Sequence, residues 1–184
     1  EKLLVVNNAG DLTGLITVKD ILKKQNFPNA AIDKHGRLIV GAAVGIDVDT
    51  IDRVSALIDN GVDVIVIDTA HGHSKSVIDM TKKIKKNFSS VELIVGNVAT
   101  SEAVEALVDS GADADNIGRG SGSSCTTRID DGVGVPQLSS IVHSFDIAHK
   151  KNIPIISDGG MRYSGDLAKS LAAGPNAVML GSIF

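Results

Sequence analysis

The sequence predicts an α/β fold assembled from parallel βαβ units. Three observations carry that expectation. Short apolar runs of strand type recur from Leu38 onward, and amphipathic segments with helical spacing separate most of them. Three of those segments close on one pattern: "LIDNGVD", "LVDSGAD" and "LAAGPNA". Alternating strand and helix builds a parallel sheet, and continuous apolar strands such as "VIVI" suit a sheet covered on both faces. Six such units without a sheet-reversing insertion suit part of an (αβ) barrel. A doubly wound open sheet is the competing arrangement, since a closed barrel of this type needs eight strands.

In chain order, residues 1–24 read as a hairpin and a short helix. "LLVV" and "LTGLIT" flank the turn cluster "NNAGD", and "VKDILKK" follows. Residues 25–37, "QNFPNAAIDKHGR", lack apolar periodicity and read as a linker. Residues 38–184 carry the repeat. Strands are expected at "LIVGAAVG", "VDVIVID", "ELIVGN", "ADNIG", "IPIISDGG" and "NAVMLGS". Helices are expected at "DTIDRVSALIDNG", "SKSVIDMTKKIKKNF", "SEAVEALVDSG", "SSIVHSFDIAHKKN" and "SGDLAKSLAAG". Gly61, Gly111 and Gly174 stand where a helix passes into a left-handed cap before the next strand.

The 184 residues include 18 Lys+Arg and 22 Asp+Glu, for a net charge of -4. That balance, without a basic patch interleaved with aromatics, argues against a nucleic-acid partner. One cysteine excludes an intrachain disulfide and fits a reducing compartment. No apolar run approaches the roughly 18 residues of a membrane span. The opening "EKLLVV" has a strand pattern, not that of a signal peptide. A soluble cytoplasmic protein with no membrane partner is expected.

In either architecture, ligands bind at the carboxyl ends of the strands. Those ends hold Asp68 with "TAHGHS" behind it, Asn97, Gly118, Asp158-Gly159-Gly160 and Gly181-Ser182. All are small or polar and are expected to face one mouth. "MLGS" after a late strand suits a phosphate. His71 and His73 read as solvated loop residues, and nothing in the sequence pairs them with the cysteine. Arg162 and Tyr163 either clamp an anion or start a helix.

The stretch "GRGSGSSCTTRIDDG", residues 118–132, holds the sole thiol, Cys125. It lacks the lysine of a Walker loop and the glycine spacing of a dinucleotide fingerprint. Closely spaced glycines let backbone groups face a ligand: N–H groups for an anion, carbonyls for a cation. Composition leaves both open. A buried structural cysteine sits on an apolar face, whereas Cys125 sits in a polar strand-end loop. Ser123, Thr126 and Thr127 lie close enough in sequence to orient a thiolate.

These residues together resemble the inosine monophosphate dehydrogenase family. "DTAHGHS", "GNVAT", "GSSCTTR", "GVGVPQL", "SDGGMRYSGD" and "AVMLGS" match its motifs in order and at close to its spacing. "EKLLVV…GLITVKDI" resembles the tail of the regulatory CBS pair. The resemblance implies a catalytic (β/α)8 TIM barrel from its third strand to its eighth. It implies NAD-dependent oxidation of inosine monophosphate (IMP) to xanthosine monophosphate by a cytoplasmic homotetramer. Cys125 matches the nucleophile that attacks C2 of the purine, and Thr127 the threonine that helps activate water. Ser123, Gly160, Gly181 and Ser182 match phosphate positions, with Gly159 beside them, and Asp158 the carboxylate on the ribose hydroxyls. Asp68 and Asn97 match residues on the nicotinamide-ribose side, and Gly118 and Gly120 lie in that groove. Carbonyls of Gly120, Gly122 and Cys125 match a potassium (K+) site. The related guanosine monophosphate reductases share the barrel and the cysteine loop, but differ around "DTAHGHS", "RIDDGVGVPQ" and "MRYSGD".

Several positions depart from the resemblance. Asp115 replaces an apolar strand residue, which would cost several kcal/mol unless paired or protonated. Asn116 replaces a basic residue at the barrel mouth. Arg119 and Ser124 replace apolar loop residues, Asp130-Asp131 replace a small apolar pair, and Ser121 stands where many members have proline. These departures also admit a nucleotide-binding homologue with impaired catalysis. The family's first two strands and its Arg-Tyr flap are not found in these 184 residues. Little or no turnover is therefore expected of the chain by itself.

Overall fold

The structure, a computed structural model, describes residues 2–184. The chain forms two compact units, the first ending at Ile39 and the second running from Val40 to Phe184.

The first unit is the expected hairpin and helix. Strands β1 (Lys2–Val6) and β2 (Leu12–Thr17) pair antiparallel. Between them the Asn7 carboxamide oxygen accepts the amides of Ala9 and Asp11, both at 2.9 Å, which closes the "NNAGD" turn. Helix α1 (Val18–Asn26) starts on a reciprocal capping box between Thr17 and Asp20. It runs two residues past Lys24, into the stretch expected to be linker.

The second unit contains all six expected strands: β3 (Gly41–Val44), β4 (Val64–Asp68), β5 (Glu92–Val98), β6 (Ala114–Ile117), β7 (Ile155–Asp158) and β8 (Ala177–Met179). They form one parallel sheet in the order β3-β4-β5-β6-β7-β8. A doubly wound sheet would reverse its strand order at a switch point. This order follows the chain without reversal, so the curled sheet is the wall of a partial (β/α)8 barrel. Helices α2 (Thr50–Asp59), α3 (Lys75–Asn87), α4 (Ser101–Asp109), α6 (Gln137–Lys151) and α7 (Ser164–Ala172) stand where the amphipathic segments predict them. One short helix, α5 (Thr127–Asp130), was not expected; four residues are too few to show a helical period.

The two faces of the sheet differ. Ile65, Ile67, Leu93 and Val95 are fully buried with Val54, Val77, Ile84, Val104, Leu107 and Ile141 of the helices. Val64 and Val66, on the opposite face of β4, are only half-buried. "VIVI" is thus covered on one face and partly open on the other, because six strands do not close over the inner face.

The repeated helix ends have a physical basis. Gly61, Gly111 and Gly174 carry φ of 81°, 107° and 117°, as a left-handed cap requires. Two residues after each stands Asp63, Asp113 or Asn176. Each side chain accepts a backbone amide at the start of the preceding strand: Val40 at 2.8 Å, Leu93 at 2.8 Å and Ile155 at 3.1 Å. The "G-x-D/N" repeat therefore aligns each strand with the one before it.

Candidate active site

The expected polar residues gather at the carboxyl ends of β4 to β8. Asp68 ends β4 and is exposed. The segment behind it lies along the end of β5: Thr69 Oγ1 donates to the Gly96 carbonyl at 2.8 Å and Gly72 N–H to the Asn97 carbonyl at 2.8 Å. In β5 the pairing with β6 slips between Gly96 and Val98, leaving Asn97 as the extra residue. Such a bulge re-aims its side chain. Asn97 Nδ2 donates to Asp158 Oδ2, at the end of β7, at 2.8 Å.

Asn116 completes that cluster. Its Nδ2 donates to Asp158 Oδ2 at 2.9 Å and to Asn97 Oδ1 at 3.2 Å. Room for it comes from its register partner Gly96, where a Cβ would lie 2.6 Å from the Asn116 Cβ. Gly118 also permits a close approach: a Cβ there would sit 2.1 Å from the Asp158 carbonyl oxygen.

The loop after β6 carries the thiol. Cys125 is half-buried, with Sγ 3.3 Å from Thr127 Oγ1. Hydrogen bonds from the Thr127 hydroxyl and backbone amide favour the thiolate, and the Arg128 and Arg119 guanidinium groups add to this. The thiol pKa is held below its ordinary value against a smaller opposing effect of desolvation. Of the three hydroxyls expected near the thiol, Thr127 is the one that serves it. Thr126 heads α5 without a side-chain capping bond, and Ser123 Oγ instead meets Ser182 Oγ at 2.8 Å. That contact joins two of the expected phosphate residues from loops 59 positions apart. Gly181 sits exposed beside Ser182.

The glycines of the loop pack on the end of β7. A Cβ at Gly159 would lie 3.1 Å from the Gly122 amide nitrogen, and one at Gly160 would lie 3.2 Å from the Ser121 Cβ. The Gly122 carbonyl accepts the Cys125 amide at 3.2 Å, which ties the turn in front of the thiol. Gly120 is buried with φ of 71°, against the Arg128 stem. Arg119 donates from its guanidinium to the Ala70 carbonyl, linking the cysteine loop to the segment after β4.

Other residues stay outside this cluster. His71 and His73 make no hydrogen bond to Cys125. The backbone amides of Arg162 and Tyr163 both donate to Asp166 Oδ2 at 3.2 Å, so in this structure they start α7. Gln137 is the residue that sequence reasoning missed. Its Nε2 donates to the Ile117 carbonyl at 2.7 Å and Ser157 Oγ at 2.9 Å, while its Oε1 accepts Ser121 Oγ at 2.8 Å. It pins the cysteine loop to β6 and β7. Its place in "GVGVPQL", directly after a proline at a helix start, was the only available signal.

The profile of the "IMP dehydrogenase / GMP reductase domain" matches residues 11–184. The chain belongs to this family. Its relatives include the inosine-5'-monophosphate dehydrogenase of Aquifex aeolicus, 58% identical over 183 residues, and that of Chlorobaculum parvum, 57% identical over 184. All of this chain is covered, but only 37% of each relative. Among solved structures, a GMP reductase from Trypanosoma brucei with bound guanosine 5'-monophosphate superposes with a TM-score of 0.88 at 44% identity. The overlap covers 98% of this chain and 38% of that one. The same enzyme with guanosine 5'-triphosphate gives 0.87 at 45% identity, covering 98% and 43%. No described helix is long and apolar enough to cross a membrane.

Proposed function

We propose that this chain carries the nucleotide-oxidising part of an IMP dehydrogenase. The observation behind the reading is the placement of Cys125 beside Thr127, with Ser123 on Ser182 and Asp158 held at the next strand end. The 5'-phosphate of IMP lies against Ser123, Gly160, Gly181 and Ser182, with Gly159 beside them. Asp158 accepts the ribose hydroxyls. Purine C2 then faces the thiolate.

Cys125 Sγ adds to C2, forming a C–S bond, and C2 releases a hydride. Asp68, Asn97, Gly118 and Gly120 would hold NAD, which would supply the acceptor for that hydride. A thioimidate remains on Cys125. Water, oriented in part by Thr127, attacks C2 and breaks the C–S bond, giving xanthosine monophosphate and the free thiol. A covalent intermediate divides one hard step into two easier ones. Asp68 is exposed, and Asn97 already spends its amide on Asp158.

Potassium on the carbonyls of Gly120, Gly122 and Cys125 belongs to the same reading. Carbonyl oxygens replace an ion's hydration shell. Among the described residues, the Gly122 carbonyl accepts only the Cys125 amide, at 3.2 Å, which leaves it a second lone pair for an ion. A homotetramer, a cytoplasmic location and a CBS origin for the first unit complete the proposal. The 184 residues alone are expected to turn over little, because the inner face of a six-stranded wall stays open to water.

GMP reductase is the second reading, favoured by the superpositions at 44% and 45% identity. The dehydrogenase relatives at 57% and 58% weigh more. Mass spectrometry after incubation with IMP and NAD tests the proposal. An adduct on Cys125 with the mass of a nucleotide less hydride supports it. Nucleotide binding with no adduct points to a catalytically impaired homologue, and an adduct only from guanosine monophosphate points to the reductase.

A further inference from the structure

Asp158 depends on two amides and no cation. Asn97 Nδ2 and Asn116 Nδ2 both donate to its Oδ2, at 2.8 and 2.9 Å. No described residue donates to Oδ1. The Asn116 amide orientation is fixed, since turning it over would set its oxygen against the carboxylate and the Asn97 oxygen. In the fixed orientation Asn116 Oδ1 is buried and accepts nothing, in a residue only 3% exposed. A buried acceptor without a donor is costly, on the order of 1–3 kcal/mol. The clamp thus carries a cost of its own, while Asp158 Oδ1 is left free to accept from a ligand.

We infer that Asn116 is a positioning residue that sets how strictly this site recognises the sugar of its nucleotide. The inference rests on the nucleotide reading above and deepens it. Asn116 and Asn97 clamp one carboxylate oxygen of Asp158 and turn the other toward the ligand. The Asn116 Oδ1 stays buried behind this clamp. That free carboxylate oxygen of Asp158 is matched by a ribose hydroxyl, which donates, and not by a deoxyribose C–H. A neutral amide holds the carboxylate without cancelling its charge, so Asp158 keeps its full strength as an acceptor. Only Gly96 permits this, because any side chain there would collide with Asn116.

The test is the ratio of dissociation constants for IMP and its 2'-deoxy and 3'-deoxy analogues, measured by calorimetry on the unaltered chain, Asn116→Leu and Asn116→Asp. Leu keeps the volume but removes donors and acceptor. Asp keeps the shape but removes the donors and adds repulsion. The unaltered chain is expected to prefer IMP over at least one deoxy analogue by about tenfold or more, as suits hydrogen bonds to a charged group. Both variants are expected to bring that ratio close to one, while inorganic phosphate still competes as before. Thermal melts identify any variant that fails to fold, and the other then carries the test. An unchanged ratio in a folded variant overturns the role of Asn116. Failure of the unaltered chain to bind IMP overturns the nucleotide reading, and this inference with it. Binding of IMP without sugar discrimination overturns the inference alone.

Discussion

Cys125 owes its character to one neighbour. The thiolate is favoured first by the Thr127 hydroxyl at 3.3 Å, then by the Thr127 amide, and only afterwards by Arg128 and Arg119. A thiol with a lowered pKa stays ionised further into the acid range than a free cysteine, so it should alkylate faster near neutral pH. Thr127→Val removes the hydroxyl and leaves the amide. Its iodoacetamide reaction is expected to slow a few-fold at pH 7, with its pH–rate profile moving toward that of free cysteine. Equal profiles for the variant and the unaltered chain would show that the hydroxyl is not what holds the thiolate. Because the arginines act at longer range, added salt should change the profile less than this substitution does.

At the scale of elements, strand alignment hangs on the "G-x-D/N" positions. Asp113 is the best supported of the three: its Oδ2 accepts the Leu93 amide at 2.8 Å and Lys85 Nζ at 2.9 Å, and Lys85 also reaches the Val91 carbonyl at 3.0 Å. Asp113→Ala is expected to destabilise the second unit by about 1–2 kcal/mol in urea unfolding, as for a partly exposed charged hydrogen bond. Asp113→Asn, which keeps the acceptor for Leu93, is expected to cost less; equal losses would assign the effect to the ion pair. The strands and long helices were legible because their apolar spacing is local, and the Gly61, Gly111 and Gly174 caps because the motif repeats. The clamp on Asp158 was not legible. It joins Asn97, Asn116 and Asp158, up to 61 residues apart, and it depends on a bulge that no local pattern marks. The bridging role of Gln137 escaped for the same reason, since it is defined by contacts across the fold, whereas helix α5 escaped because four residues are too few to show a period. The fate of Ser123 was half legible: its match to a phosphate position was expected from its motif, but its partner Ser182 follows only from the folded chain.

The stability of the whole molecule turns on a carboxyl group in its apolar layer. Asp115 is 0% exposed on β6, in register with Val95 on one side and Ile155 on the other, both buried. Its neighbour Asn116 faces the mouth, so the strand pleat turns Asp115 toward the helix side, where β6 meets α4 and α6. Neither oxygen has a hydrogen-bond partner. The sequence left two escapes, pairing or protonation, and the structure takes the second: desolvation raises the pKa from 3.8 to about 8. Below about pH 4 the group is protonated in both folded and unfolded chains and costs nothing through ionisation. Between there and pH 8 the unfolded chain releases a proton that the folded chain keeps, so stability falls as pH rises, and the loss levels off above pH 8. At pH 7 the penalty is on the order of 4 kcal/mol, a large part of the roughly 5–15 kcal/mol that holds a domain together. Asp115→Val, which fits a layer of Val95 and Ile155, is expected to raise the urea midpoint at pH 7. Its advantage over the unaltered chain should shrink steadily as pH is lowered toward 4. An advantage that stays constant with pH would mean that Asp115 is ionised or paired in the folded protein, and that the gain came from packing alone.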